Sequence, residues 1–343
     1  SYMSNVFYIA NTESDGSLGK AAREALTAAK QLADGLGASL VAGIVGDGIQ
    51  PAADSIANCG ATRILGAVGP EFAQSRYGTD AAAVVALAQA AEAEYIVAPG
   101  TSRWCRVLPG AAHRLGGAAD LHITKIAVDG GAASAHRWYY RQRMEGVHQR
   151  AQRPWALAVD PGTHEAWSGD AGAANVENIA IELPDNAKRT TVTGVQAPAG
   201  DEQTIRPDAD MLFVAGAGWT KKQADGQTHT AEAETHILGF LNKAKASLGS
   251  SKSLVDLSGE GVDVLNFMSH LNQVGQTGST PRHPKGLSTC CHGEEPHVVG
   301  WRFVNERRAI NLDANCGWAQ GKADVLYVAD AFEVMEKVNA LLD

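Results

Sequence analysis

The stretch "VFYIANTESDGSLGKAAREALTAAKQLADGLGASLVAGIVG" (residues 6–46) contains one complete strand–helix–strand unit. Its two ends, "VFYIA" and "SLVAGIVG", are unbroken apolar runs of strand length, and the segment from Leu18 to Leu36 has helical periodicity. Strands that are buried on both faces have continuous apolar sequences, and strands that alternate with helices form parallel sheets. This stretch therefore predicts an α/β fold.

The same alternation continues toward the C-terminus. Helices are predicted around Ala52 to Asn58, from Asp80 to Ala93 and from Val107 to Leu115, and they are separated by the apolar strands "RILGAVG" and "YIVAPG". The strands that follow, "HITKIAVDG", "HRWYYRQ" and "WALAVD", are less regular and partly polar. We expect these three strands to form an antiparallel extension of the same domain.

A stretch rich in Gly, Pro, Asp and Ala near residues 196–208 marks a domain boundary, which gives predicted domains at 1–200 and 205–343. The strand–helix rhythm then restarts with "MLFVAGAGW". A helix is predicted from Ala231 to Leu248, since Ile237, Leu241, Ala244 and Leu248 recur on one face. The second domain is completed by the strands "LVDLS", "RRAINLD" and "VLYVAD" and by a helix from Phe332 to Leu342. We predict two doubly wound parallel-sheet domains of the Rossmann or flavodoxin-like class.

Composition narrows the possible functions. The chain has 343 residues, 45% of them hydrophobic, and a net charge of −9, so it lacks the basic surface that a nucleic-acid-binding protein needs. No apolar run reaches the roughly 18 residues of a membrane span. The five cysteines are scattered, unlike a disulfide framework, and no signal peptide is recognisable. We therefore expect a cytoplasmic protein.

Three glycine-rich turns are candidates for ligand binding. "GAG" (Gly216 to Gly218) follows a predicted strand, and "GQTG" (Gly275 to Gly278) allows close backbone approach to an anionic or heterocyclic group. "GSSKS" (Gly249 to Ser253) offers hydroxyls and one cation, although Gly249 is also explained as a helix C-cap. Each turn has an ordinary structural explanation beside the functional one.

The segment "CCHGEEPH" contains Cys290, Cys291, His292 and His297, which are possible soft metal ligands or redox thiols. Adjacent cysteines do not bind one metal ion as a Cys-x-x-Cys pair does, and no second ligand pair has the spacing of a zinc or iron–sulfur site. Buried apolar cysteines are the third explanation. No catalytic dyad or triad motif is present. The residues alone thus predict a two-domain α/β protein with a phosphate-bearing ligand in its second domain.

Four stretches of the second domain, in order, resemble the electron transfer flavoprotein α-subunit (EtfA/FixB) family. They are "GSSKSLVDLSG", "QVGQTG", "GEEPHVVGWRFVNERRAIN" and "VLYVADAFEV". The third carries His297, Gly300 and Ala309-Ile310-Asn311 in the family's order. The first domain is similar too, in its opening strand–helix unit and in "YIVAPGTSRWCRVLPGAAHRLG". The resemblance implies an N-terminal nucleotide alpha-hydrolase-like domain at the subunit interface and a C-terminal FAD-binding domain.

The resemblance also implies roles for individual residues. Ser251 and Lys252 correspond to a Ser-Arg pair beside the isoalloxazine, where a cation stabilises anionic reduced flavin. Gln276, Thr277 and Gly278 correspond to a turn that contacts the flavin ring, and His297 to a histidine near flavin O2. His292 and Gly293 stand at the Ser-Gly of another flavin-contacting turn. Asn311 and Asp330 match positions that hold the adenosine part. The resemblance implies no catalytic residue and no metal.

Two features depart from the family pattern. Ala217 replaces the arginine of a Gly-Gly-Arg-Gly turn, and Glu294 and Glu295 stand where neutral residues are usual, close to the expected pyrophosphate. We expect an α subunit that binds FAD, pairs with a β subunit, and passes electrons from a dedicated dehydrogenase to an acceptor. The alternatives are a scaffold subunit of a larger oxidoreductase complex with an altered or lost FAD site, and a thiol or metal redox protein that uses Cys290 and Cys291.

Overall fold

The computed structural model describes residues 4–140, 144–196, 205–206, 208–256, 264–274, 282–289, 303–314 and 323–343. The chain divides into two compact units, Ser1–Gln196 and Ala197–Asp343. Each unit is built on its own sheet with a parallel centre, flanked by helices. The predicted fold class, two doubly wound α/β domains, is confirmed.

The described part of the first unit forms a nine-stranded sheet in the order β7-β6-β5-β8-β4-β1-β2-β3-β9. Its elements are β1 (Asn5–Asn11), α1 (Lys20–Leu36), β2 (Ser39–Gly46), α2 (Gln50–Ser55), β3 (Arg63–Val68), α3 (Tyr77–Ala90), β4 (Tyr95–Pro99), α4 (Ser102–Arg114), β5 (Ala118–Asp129), β6 (Ala132–Tyr139), β7 (Met144–His148), β8 (Trp155–Val159) and β9 (Val176–Asn178). Gly37, with φ of 63°, ends α1 in the left-handed conformation that glycine adopts without strain.

The antiparallel extension is confirmed for two of its three predicted strands. The strands predicted from "HITKIAVDG" and "HRWYYRQ" are β5 and β6, which pair in antiparallel register. β6 also pairs in antiparallel register with β7, a strand that was not predicted. The prediction was wrong for "WALAVD", because β8 lies inside the sheet and runs parallel to both β4 and β5. All five residues of β8 are buried, as expected for a strand covered on both faces.

Two apolar layers cover the central strands of the first unit. One layer packs α1 against side chains such as Tyr8, Ile44 and Trp155. The other layer packs α3 and α4 against Phe7 and Ile9. The helices α1 and α3 are rich in alanine, a small side chain that allows close packing against a sheet.

The second unit contains a five-stranded sheet, among the described residues, in the order β11-β10-β12-β13-β14 with every pair parallel. Its described elements are β10 (Met211–Ala215), α5 (Thr230–Ala244), β11 (Ser247–Ser250), α6 (Lys252–Asp256), β12 (His283–Thr289), β13 (Val304–Asn311), β14 (Val325–Val328) and α7 (Ala331–Leu341). The helices α5 and α7 pack together over Phe213, Leu248 and Ile310.

Two predictions about this unit were wrong. The helix predicted to reach Leu248 ends at Ala244, because Lys245 adopts the left-handed conformation with φ of 51° and β11 begins at Ser247. Gly249 therefore lies in a strand and is no helix C-cap. The segment predicted as the strand "LVDLS" begins instead as the helix α6. Both errors have the same cause. Leu248 and Leu254 are buried in one core, so their apolar character does not reveal whether they belong to a helix or to a strand.

Candidate functional site

The carboxyl ends of β10 and β12 form the topological switch point of the second sheet. From β10 the chain first continues to β11 on one side and later to β12 on the other. Ligands of open parallel sheets bind in the crevice that such a reversal creates. The "GAG" turn follows β10 directly, and the amide of Gly216 donates to the carbonyl of Thr289 at 2.8 Å. The glycine turn therefore lies directly beside the carboxyl end of β12.

A buried polar clamp, formed by Thr289, Val214 and Trp219, joins the two strand ends. The hydroxyl of Thr289 donates to the carbonyl of Val214 at 2.9 Å and accepts from the indole nitrogen of Trp219 at 2.8 Å. The Trp219 ring lies 4.7 Å from the ring of Phe332 at the start of α7, measured between centroids. Sequence reasoning missed this clamp. A tryptophan right after a glycine turn was the available signal, since a buried indole N–H requires an acceptor.

Ser251 and Lys252 lie at the carboxyl end of β11, beside the end of β10. The Ser251 amide donates to the carbonyl of Ala215 at 2.9 Å, and the Ser251 hydroxyl accepts from the amide of Leu254 at 3.2 Å. The side chain of Lys252 is 57% exposed, and its Nζ is 3.8 Å from Oδ2 of Asp256. The lysine therefore provides a solvated positive charge at this edge.

Asn311 and Asp330 lie at the carboxyl ends of β13 and β14. Asn311 is buried, and its Nδ2 donates to the carbonyl of Asp313 at 3.1 Å. Asp330 caps α7, since its Oδ1 accepts from the amide of Phe332 at 2.9 Å. Both residues are on the same edge of the sheet as Ser251 and Lys252, but on the other side of the switch point.

Two residues beside the predicted ones shape this edge. Ser250, the last residue of β11, has no solvent exposure, and its Oγ has no hydrogen-bond partner among the described residues. Ala217 is 1% exposed and sits in a turn of 3-10 helix from Ala217 to Thr220. The position where the family pattern has arginine is therefore enclosed by protein here.

Residues 6–198 match the family model described as the electron transfer flavoprotein domain. The chain belongs to the electron transfer flavoprotein family. It is 27% identical over 333 residues to a protein named Protein FixB from Clostridium saccharobutylicum, covering 95% of this chain and 91% of that protein. It is 25% identical over 332 residues to the electron transfer flavoprotein subunit alpha of Clostridium acetobutylicum, covering 95% and 93%. The low identity over nearly the whole length makes it a divergent EtfA/FixB member.

Six predicted site residues of this electron transfer flavoprotein family member lie outside the described residues. They are Gln276, Thr277, Gly278, His292, Gly293 and His297. Cys290, Cys291, Glu294 and Glu295 lie there as well. The described residues therefore place four of the ten predicted contacts, Ser251, Lys252, Asn311 and Asp330, on one edge of one sheet.

The described part of this flavoprotein-family chain shows neither a metal cluster nor a membrane span. It contains no group of three or more His, Cys, Asp or Glu side chains arranged to hold a metal ion. Among the same residues no helix is both long and apolar enough to cross a membrane.

Proposed function

We propose that this chain is the α subunit of an electron transfer flavoprotein, with FAD bound at the carboxyl edge of the second sheet. It works as a heterodimer with a β subunit and passes electrons from a dedicated dehydrogenase to an acceptor. The observation that carries the proposal is the switch point between β10 and β12, where the "GAG" turn lies beside the end of β12 and Ser251 is hydrogen-bonded to the end of β10. The relative named as an α subunit matches over 95% of this chain, which includes this edge. The scattered cysteines support a reducing compartment such as the cytoplasm.

The described residues at this edge fit a flavin nucleotide. The edge offers the hydroxyl of Ser250, which is buried without a hydrogen-bond partner among the described residues. Ser251 and Lys252 would contact the isoalloxazine part, and Asn311 and Asp330 the adenosine part. In the described sheet β11 and β14 are the two edge strands, so a ligand that reaches both of them must be elongated. When bound, the flavin supplies the one- and two-electron chemistry that side chains lack.

The charge of Lys252 sets how strongly the protein would favour reduced flavin. A cation near the ring stabilises a negative charge on it by Coulomb attraction, and solvent screens that attraction. Lys252 is mostly exposed and has Asp256 at 3.8 Å, so its net effect is smaller than that of a buried, unpaired cation. It also lacks the planar fork of arginine. We therefore propose a flavin that is harder to reduce than one held by a buried arginine.

Cofactor analysis of the complex tests the proposal. The chain is co-expressed with the β subunit of its source, the heterodimer is purified, and the released cofactor is separated and identified. We expect the visible absorbance of oxidised flavin and about one FAD per α subunit beyond any nucleotide that the purified β subunit binds alone. An intact heterodimer whose α subunit adds no flavin would contradict the proposal.

A scaffold subunit of a larger oxidoreductase complex is the second candidate. It is favoured by Ala217, which is enclosed and uncharged where the family pattern has arginine. Restoring arginine there would force a long cation into a buried position, so failure to gain flavin would be uninformative. The heterodimer measurement separates the two functions better, because a scaffold forms the same complex without flavin in its α subunit.

A further inference from the structure

Ser250 is unlike a structural serine. It ends β11 with no solvent exposure, and its Oγ is buried without a hydrogen-bond partner in the part of the chain that the structure describes. Buried polar side chains in folded proteins are nearly always hydrogen-bonded, because an unpaired hydroxyl loses its hydration without compensation. An unpaired buried hydroxyl at the ligand-binding edge of a sheet is a candidate contact for a ligand bound at that edge.

The backbone around Ser250 is paired with neighbouring backbone on both sides. Ser250 is in parallel register with Ala215 of β10, and the next amide, that of Ser251, donates to the Ala215 carbonyl at 2.9 Å. On the other side Ser250 forms a parallel bridge with Gln273, and its carbonyl accepts from the amide of Val274 at 3.0 Å. The strand end is therefore fixed, and the side chain is the one part of the residue left to interact.

Other buried hydroxyls in the same sheet show the usual behaviour. Thr289 uses its hydroxyl in the clamp with Val214 and Trp219. Ser247, at the opposite end of β11, donates to the carbonyl of Arg206 at 2.9 Å. Ser247 and Thr289 are as deeply buried as Ser250. Burial in this sheet therefore does not itself account for the unpaired Oγ of Ser250.

We propose that Ser250 is a further cofactor-contacting residue whose hydroxyl hydrogen-bonds the flavin half of the bound FAD. The proposal rests on the proposed function and adds a contact at its site. Ser250 immediately precedes Ser251 and Lys252, which belong to the isoalloxazine side of that site. A serine hydroxyl both donates and accepts, so it suits the carbonyl and imine edge of the ring or a ribityl hydroxyl. The same contact is available to FMN, which shares that half.

Three variants in the heterodimer test the proposal. Ser250→Ala removes the hydroxyl, Ser250→Cys puts a slightly larger and weakly hydrogen-bonding thiol in its place, and Ser253→Ala removes an exposed hydroxyl from the same segment as a control. Affinities for FAD and for FMN are measured by titrating the flavin-free complex, and thermal unfolding is recorded with and without flavin.

We expect Ser250→Ala and Ser250→Cys to bind both flavins about three- to tenfold more weakly, the usual effect of one lost hydrogen bond. Without flavin, Ser250→Ala should unfold at the wild-type temperature or above it, because it removes a buried hydroxyl that has no partner. Ser253→Ala should match wild type in both measurements. The opposite signs for binding and for flavin-free stability are what a purely structural serine would not produce.

Several results would overturn the assignment. Wild-type affinity in Ser250→Ala would mean that the hydroxyl does not touch the cofactor, and wild-type affinity in Ser250→Cys would mean that volume alone matters. A loss confined to FAD would put the contact in the adenosine half. A wild-type complex that binds neither FAD nor FMN would overturn the proposed function and this contact together.

Discussion

Asp80 is fully buried in the first unit, and both of its oxygens accept from one guanidinium. Arg103 donates from Nε to Oδ2 and from Nη2 to Oδ1, each at 2.8 Å, and from Nη2 to the carbonyl of Phe72 at 3.0 Å. Burial raises the pKa of the Asp80 carboxyl, and the guanidinium opposes that effect. The pair joins α3 to α4, so its contribution to stability is best measured by removing one partner.

Arg103→Ala should lower the free energy of unfolding by about 3–5 kcal/mol, because it leaves a buried carboxylate without its counter-charge. Denaturant unfolding at neutral pH measures this loss. His113→Ala, at an exposed position of the same helix, is the matched control and should stay within about 0.5 kcal/mol of wild type. Equal losses in the two variants would show that the buried pair contributes nothing specific.

His122 should give the first unit a measurable pH dependence. Its Nδ1 is 3.3 Å from Oδ1 of Asp160, and this hydrogen bond raises the pKa of the imidazole. A raised folded-state pKa stabilises the fold fully below the unfolded value of about 6.5, and the stabilisation disappears as pH rises through the folded value. Stability contributed by this pair should therefore fall across neutral pH.

His122→Asn tests this dependence without straining the backbone. His122 has φ of 59°, a left-handed conformation that asparagine adopts more readily than most residues. Unfolding free energies measured at several pH values should show a flatter slope across neutrality in the variant than in wild type, and Asp160→Asn should flatten it equally. An unchanged slope in both variants would rule out the pair as its source.

At the scale of elements, two variants of Asp330, at the N-terminus of α7, distinguish its structural role from a cofactor role. Asp330→Ala removes the cap to Phe332 and should cost about 1 kcal/mol of stability, whereas Asp330→Asn keeps a good capping oxygen. If Asp330 also contacts the adenosine part of FAD through its charge, both variants should bind FAD more weakly. Calorimetric unfolding and FAD titration give the two readouts. Wild-type affinity in Asp330→Asn would leave Asp330 with the capping role alone.

The clamp at the ends of β10 and β12 should matter for both folding and binding. Thr289→Val keeps the shape but leaves the Trp219 N–H unpaired, which costs about 1–3 kcal/mol. Thr289→Ser retains the hydroxyl and should recover most of that loss. We expect Thr289→Val also to weaken FAD binding, since the clamp joins the two strand ends at the switch point. Unfolding and titration of the two variants decide this, and equal behaviour of Val and Ser would refute it.

The elements predicted from sequence were mostly right in kind, and the errors have local causes. The α5 pattern was extended to Leu248 because that leucine is buried on the same core as the helix, although it belongs to β11. The break at Lys245 has no glycine to signal it. The strand β8 has the apolar sequence of a parallel strand, but its place between β4 and β5 depends on long-range pairing that local sequence does not encode.

At the scale of the whole molecule, the site residues that could be predicted are those in family motifs at the carboxyl ends of strands. Ser251, Lys252, Asn311 and Asp330 were expected from the resemblance and lie on one edge of the second sheet, while their contacts with FAD remain predictions. Ser250 and Thr289 were missed because their significance depends on which hydroxyls find partners after folding. A serine or threonine in sequence carries no sign of that outcome.

The two compact units should also unfold as separable steps, which can be tested in the full chain. In the first unit the Asp120 carboxylate accepts from Arg150 Nε at 2.6 Å and from Trp155 Nε1 at 2.8 Å, so Asp120→Asn should destabilise that unit. In the second, Phe332→Ala removes a buried ring packed on Trp219 and should cost about 3–5 kcal/mol.

Differential scanning calorimetry should then show two transitions, each lowered by one variant only. FAD at a hundredfold excess over its dissociation constant should stabilise the step that Phe332→Ala affects by about 2.7 kcal/mol and leave the Asp120→Asn step in place. The assignment holds only if the ligand and the second-unit variant act on the same transition. A single transition shifted by both variants would mean that the two sheets unfold as one cooperative body, and an FAD shift of the first-unit step would place the cofactor in the wrong half of the chain.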